Sequence, residues 1–329
     1  MSRLSSFVVG LHQGVSEPVF IIISIVVIGI GVWLIPKATD IATDSAAGLA
    51  GEILGPQQRT LVINSTTNLP ELCLMLVSLL GLGRLGGIAT PLGSNLANIY
   101  LMFLVAPAFL VIKWSIFGHR HKITSLRKLA WKEKGLVTWH LLMSFLMFAF
   151  ATATYWVLTG TFQFVRFPEQ TSLPTNKFWL LAGSIVCLIG IAIFFYLENK
   201  LKKKRPEVFE DLDDDEFEAS WSQFFTGAIS LVLLCYILNE FFVAWTSIYD
   251  DQFAGYALFA ALHFFVGSLI SSLPEITVAI ENYEKITPPE LNTALASASQ
   301  SNMTNLAIAG LGCALAVVLL LANIIEGVI

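Results

Sequence analysis

Charge is scarce in this chain. Only 13% of its 329 residues are Asp, Glu, Lys or Arg, against 55% hydrophobic, and the mean hydropathy is +0.72. Apolar stretches of about 18 or more residues recur along the whole length. That excludes an ordinary water-soluble domain and predicts an all-α polytopic membrane protein. Cysteine is scarce too. Cys73, Cys187, Cys235 and Cys313 all fall in apolar segments, so reduced packing residues are expected and not a disulfide framework. The histidines, His12, His119, His121, His140 and His263, show no metal-ligand spacing. No glycine-rich nucleotide loop is present, which leaves ATP-driven pumping without support, and no His-Glu-x-x-His marks an intramembrane metalloprotease. No cleavable signal peptide is evident, because the first apolar run starts near Pro18, is long enough to span and lacks a small-residue cleavage site. Neither an enzyme nor a nucleic-acid partner is expected; the bilayer is the partner.

The charge that exists is concentrated. Eight helices are predicted, over residues 18–36, 59–83, 86–117, 135–159, 178–198, 221–248, 255–282 and 289–326. The last is too long for one simple span, so it is expected to be tilted, kinked or broken, which would raise the count to as many as ten. The loop after helix 3 holds Lys113, Arg120, Lys122, Arg127, Lys128, Lys132 and Lys134. The loop after helix 5 begins Lys200, Lys202, Lys203, Lys204, Arg205. Both are expected on the cytoplasmic side, and one topology satisfies both: N-terminus outside, linker 199–220 cytoplasmic. The chain then divides into a first half (1–198), that linker, and a second half (221–329). A multi-pass protein of the cell (inner) membrane or an organelle membrane is expected.

One short pattern occurs twice. Residues 66–71 read Thr-Thr-Asn-Leu-Pro-Glu, and 270–275 read Ile-Ser-Ser-Leu-Pro-Glu. Each copy is followed by another shared pattern, Ser94-Asn95-Leu96-Ala97-Asn98 and Ser301-Asn302-Met303-Thr304-Asn305. With the N-terminus outside, helix 2 runs outward and helix 7 inward, so the copies form an inverted-topology repeat. Such a repeat places a substrate site near the bilayer midplane.

Pro70 and Pro274 each remove a backbone hydrogen bond and loosen the turn before them, at Thr67-Asn68 and Ser271-Ser272. Loosened carbonyls, hydroxyls and amides are hard-cation ligands, and Glu71 and Glu275 supply negative charge. Asn64 and Ser268 lie one turn earlier on the same face. Ser94 and Asn98 share a face, as do Ser301 and Asn305. Two carboxylates among many neutral oxygens suit calcium or sodium and not zinc or copper. The same pair can hold monovalent ions or protons, the physical basis of antiport. A lone Glu after Pro inside a helix can also be a structural kink; two in matched contexts argue for function. Asn95 and Asn302 are either ligands or helix-packing groups.

The paired Leu-Pro-Glu and Ser-Asn-x-x-Asn elements resemble the two alpha-repeats of the calcium/cation antiporter superfamily, the sodium/calcium exchangers and their relatives. The resemblance is specific over residues 60–110 and 262–312. It implies an antiporter fold in which Glu71 and Glu275 are the central metal-binding glutamates. Thr67, Asn68, Ser271 and Ser272 match the hydroxyl-bearing positions before them, and Ser94, Asn98, Ser301 and Asn305 the coordinating positions on the adjacent helices. Helices 1 and 6 match the gating pair. The transported ions would be calcium with sodium or protons, and no resident cofactor is implied. Three features depart from the pattern. Asn68 stands where the family usually has Ser. Gln300 stands where the first copy keeps Gly93. The family commonly has five helices per half, whereas three follow the linker here, so the final two would be missing, supplied by a homo-oligomeric or other partner chain, or held within a broken helix 8.

Other readings stay open. A passive cation channel would show flux without counter-ion coupling, an antiporter could carry magnesium, manganese or potassium, and a membrane scaffold would show no cation-dependent stabilisation. The acidic run Glu207 to Glu218 lacks the glycine and spacing of an EF-hand, and reads as a solvated segment behind a basic anchor. Asp250 and Asp251 sit in the short loop before helix 7. The sequons at Asn64 and Asn302 fall inside predicted spans and are expected to be unglycosylated.

Overall fold

The structure is a computed structural model that describes residues 2–53, 59–159, 177–208, 220–253 and 258–322. Among these residues every regular element is helical. Seven helical segments are long and apolar enough to cross a membrane: Glu17–Ala50, Leu85–Ile116, Lys134–Leu158, Lys177–Lys204, Trp221–Tyr249, Leu258–Lys285 and Pro288–Leu321. Large apolar side chains stand exposed along their outer faces, Ile25 and Trp33 on the first, Leu188 on the fourth, Leu233 on the fifth. Water would penalise such a surface, and acyl chains match it. This is an all-helical, multi-pass membrane protein.

The chain begins with α1 (Arg3–Gly14), whose N-cap Ser2 accepts from the Leu4 and Ser5 amides. Expected helix 1 becomes α2 (Glu17–Ile53), continuous through Pro36 where the sequence suggested an end. One lost backbone bond there is outweighed by packing of Ile35, Ala38 and Ala42 on the helix opposite. Expected helix 2 is divided into α3 (Arg59–Thr66) and α4 (Leu69–Leu76), which continues as a π-helical turn to Gly81. Gly83, with φ 66, makes the reversal into α5 (Ala89–Tyr100). After a π-helical turn at Leu101–Val105 comes α6 (Ala106–Ile116), then α7 (Arg120–Lys132), a helix the expected basic loop did not foresee. The span helices α8 (Lys134–Thr159), α9 (Lys177–Lys204) and α10 (Trp221–Tyr249) follow as expected. Most of the acidic run, from 209 to 218, lies outside the described residues.

Expected helix 7 is again divided: α11 (Leu258–Leu262), a π-helical turn at His263–Gly267, α12 (Ser268–Ser271) and α13 (Leu273–Lys285). Ile286, at φ 55, ends it, and α14 (Pro288–Leu321) starts on the Thr287 cap. Over the described residues α14 is one continuous helix, which sets aside the broken alternative among the three expected for it. At about 1.5 Å per residue its 34 residues exceed the hydrocarbon core, so its first turns stand beyond it. There Glu290 pairs with Lys285 at 3.1 Å.

Contacts set the directions of the four central helices. Gly86 lies against Phe259, Thr90 bonds His263, Ser94 bonds Ser271, and Tyr283 donates to the Met102 carbonyl. The α5–α6 helix and the α11–α13 helix therefore run side by side in one direction. Asn68 bonds Ser301 and Met75 lies on Gly312, so α3–α4 runs with α14. Asn302 bonds the Asn95 carbonyl and Gly312 lies beside Ile88, so α5 and α14 run oppositely. It follows that α4 and α13, the two Pro-Glu helices, run in opposite directions.

Around this centre, α8 and α9 are fastened to α14 by His140 to Ser299 (2.8 Å) and Asn292 (2.9 Å), and by Gln300 to Glu198 (2.7 Å). On the other side α2 and α10 pair antiparallel, with Trp245 bonded to Ser24 and Gly227 pressed on Ala38 and Ala42. All four cysteines are free and buried, as expected.

Candidate functional site

The two helix breaks have nearly the same backbone geometry. Asn68 sits at φ −87, ψ 8, and Ser272 at φ −83, ψ 5. In both, Leu-Pro-Glu opens the next helix, with Pro in its first positions and Glu in its first turn. Proline is tolerated there because its missing amide has no partner in a first turn anyway. The first-turn amides of a helix also favour a carboxylate. Sequence thus places both glutamates at newly started helix N-termini deep within the protein.

Glu71 and Glu275 are each fully buried. They lie close enough for the charge of one to act on the other. The Ser94 and Ser271 hydroxyls face Glu71, while no carboxylate oxygen of either glutamate makes a hydrogen bond of normal geometry among the described residues. Among the described residues no cationic side chain forms an ion pair with either. Two buried carboxylates without counter-charge cost many kcal/mol, of order 20 per ion before relaxation. The chemistry of the site therefore demands a cation or protons.

Neutral oxygens surround them in pairs. Asn68 donates to Ser301 at 3.1 Å, and Ser94 and Ser271 share a hydrogen bond of 3.3 Å. Each of these bonds joins a residue at one break to the serine of the other copy's Ser-Asn helix, from neighbouring positions of the repeat, since Asn68 matches Ser272 and Ser271 matches Thr67. Asn98 and Asn305 are fully buried, and neither amide has a hydrogen-bond partner among the described residues. The Ser272 hydroxyl is in the same condition. Thr67 is buried at the first break. Ser268 is buried, but its hydroxyl donates to the Phe264 carbonyl of its own helix, so it does not turn to the carboxylates. The Asn64 backbone belongs to α3, and its side chain lies outside what is described. Among the described residues no three His, Cys, Asp or Glu side chains converge on a metal. The donor set is two carboxylates and neutral oxygens, which suits a hard cation.

The amide nitrogens of Asn95 and Asn302 serve packing, while their Oδ1 atoms are buried without a partner among the described residues. Asn302 donates to the Asn95 carbonyl (3.0 Å) and the Ser144 carbonyl (3.3 Å), and Asn95 to the Pro91 carbonyl (2.9 Å). The Gly93/Gln300 difference between copies also has a cause. A Cβ at Gly93 would lie 2.2 Å from the Phe264 carbonyl, because the π-helical turn passes against α5. Position 300 faces α9 and is free to carry a side chain that bonds Glu198.

Two partnerships were not foreseen in sequence, although His263 itself is expected to be packed or to face a cavity. His263 is buried in the π-helical turn and bonds Thr90 at 2.7 Å. Asn239 of α10 donates to the Leu74 carbonyl of the first Pro-Glu helix at 3.3 Å, and the Cys235 thiol lies 3.8 Å from the Pro70 carbonyl. Isolated polar residues within apolar spans flag both positions, but no spacing rule names their partners. Compared with protein-family models, curated proteins and solved structures, the chain matches none.

Proposed function

We propose that the chain is a secondary active cation antiporter that exchanges calcium for sodium or protons by alternating access. The observation that carries this reading is the pair of fully buried, uncompensated carboxylates at two like-shaped helix breaks, ringed by neutral oxygens. The opposed directions of α4 and α13 support an inverted-topology repeat, with the site at its centre. Two carboxylates balance one divalent cation, two monovalent cations or two protons. A site left with bare carboxylates is penalised by burial, so it would change sides only when loaded, and loading from each side by a different ion is exchange. In this reading α2 and α10 are the moving pair. Gly227, Ala38 and Ala42 give them a close, smooth contact, and Asn239 links α10 to the ion-site helix.

The test is calcium uptake into proteoliposomes of purified protein, with an outward sodium gradient, an outward proton gradient or neither. Uptake driven by one gradient is expected and names the coupling ion; uptake that follows calcium alone would replace the antiporter with a channel. Glu71→Gln and Glu275→Gln are each expected to reduce exchange to background while the protein still elutes as a folded species. Wild-type flux in either variant would sink the assignment.

A further inference from the structure

Helix α7 joins the ends of two spans, Leu85–Ile116 and Lys134–Leu158, so it lies at the membrane boundary. Its two faces are distinct. Ile123, Leu126 and Leu129 pack inward on a cluster that includes Trp114 and Leu136. Arg120, Thr124, Arg127, Lys128 and Trp131 recur at helical spacing on the other face, and all are exposed. Trp131 is the extreme case at 76% exposed, and the Lys134 ammonium stands 5.6 Å from its ring. Ile116 and Phe117, at the end of α6, are likewise open at 74% and 67%. An aromatic and two apolar side chains at the end of a span, beside a row of cations, match the headgroup level of a bilayer.

We propose that α7 lies in the headgroup layer and binds anionic phospholipid through Arg127, Lys128, Lys132 and Lys134, with Trp131 as its anchor. Charge complementarity and position select this occupant. The four cations make no ion pair among the described residues, and the adjoining apolar side chains are those a lipid acyl region covers. The end of α9 comes to the same boundary, because Arg205 reaches Glu133 at the α7–α8 junction (2.9 Å). Glu207, held below the usual carboxylate range by its hydrogen bond from Arg205, remains ionised there.

Native mass spectrometry of the full-length protein tests the proposal, with phosphatidylglycerol and phosphatidylcholine of distinguishable mass offered in equal amounts. The wild type is expected to retain phosphatidylglycerol in preference. The variant R127Q/K128Q/K132Q/K134Q is expected to lose that preference about tenfold or more, since four headgroup contacts go with it. An unchanged preference in this variant, or none in the wild type, overturns the proposal. Should the four changes together prevent folding, the single variants carry the same test, and undiminished retention in all four overturns it equally. The acidic segment 209–218 is the competing occupant. A preference seen only after D213N/D214N/D215N would assign α7 to that segment and not to lipid. The readout does not depend on transport, so it stands or falls apart from the antiporter reading.

Discussion

Asn302 carries a packing bond within a pair of roles that sequence alone left level. Its amide nitrogen reaches two carbonyls on neighbouring helices, whereas the Asn98 and Asn305 amides make no bond at either atom; the Oδ1 of all three lacks a partner among the described residues. Hydrogen bonds between membrane helices are worth about 0.6 kcal/mol on average, up to about 1.7. Asn302→Leu is therefore expected to lower thermal stability by that modest amount and to leave coupled flux largely intact. Asn98→Leu and Asn305→Leu are expected to do the reverse: little change in melting, with apparent cation affinity lowered at least severalfold, since each removes a neutral oxygen donor. Flux assays beside melting curves in each variant decide this; a transport-dead Asn302→Leu of unchanged stability would return Asn302 to the ligand set. At this scale the sequence was informative about identity and silent about orientation. Glu71, Glu275 and their flanking residues stood out because polar groups in apolar spans are rare. That the Ser268 hydroxyl turns to its own backbone is a rotamer choice, and no pattern of residues encodes it.

Elements extend the same logic. Proline two residues into each resumed helix makes the breaks at Asn68 and Ser272 legible as breaks, and both were anticipated from Pro70 and Pro274. The π-helical turns were not, because one extra residue in a turn leaves hydrophobic periodicity almost unchanged. Short amphipathic helices α1 and α7 were invisible for a related reason, since a span search rewards continuous apolar length and each buries only one stripe. Helix α2 was ended too early because Pro36 was weighed without the partner helix that holds it straight. Gly93 shows what close packing of elements requires. A methyl at that position meets the Phe264 carbonyl at 2.2 Å, a backbone atom that no side-chain rotation can move. Gly93→Ala is expected to push α5 off the π-helical turn, lengthen the Ser94–Ser271 contact and cost about 1–3 kcal/mol as an overpacked core does. Exchange should fall well beyond what the loss of folded protein explains. Gln300→Ala, the matched position of the other copy, is expected to be milder because nothing passes so near. Equal losses in the two variants would remove the asymmetry argued for the copies.

At the scale of the whole molecule the helices must alternate in direction, and the contacts impose that alternation on the centre without reference to any membrane. Loop charge gives the expected side. Among the described residues the seven candidate spans and the divided α3–α4 helix would make eight crossings, with the basic segments after α6 and after α9 two crossings apart and hence expected on one side. Glu133 and Arg205 meet directly, which independently requires that the ends of α7 and α9 share a side. The four native thiols are all buried, so a cysteine introduced at the surface is the only ready target for a membrane-impermeant reagent. Lys128→Cys and Lys203→Cys, at exposed positions, are expected to label only after the membrane is opened, and Gln13→Cys to label from outside intact cells. Labelling of positions 128 and 203 from opposite sides would mean that α8 and α9 do not both cross, and would break the pairing of the two halves. Labelling of all three from one side would keep the helices but turn the N-terminus inward, adding or removing one crossing before α7. Because α4 is tied to α14 and α13 to α5 by contacts that ignore sidedness, the ion-site helices would stay opposed even then. Only the number of crossings before α7 would change.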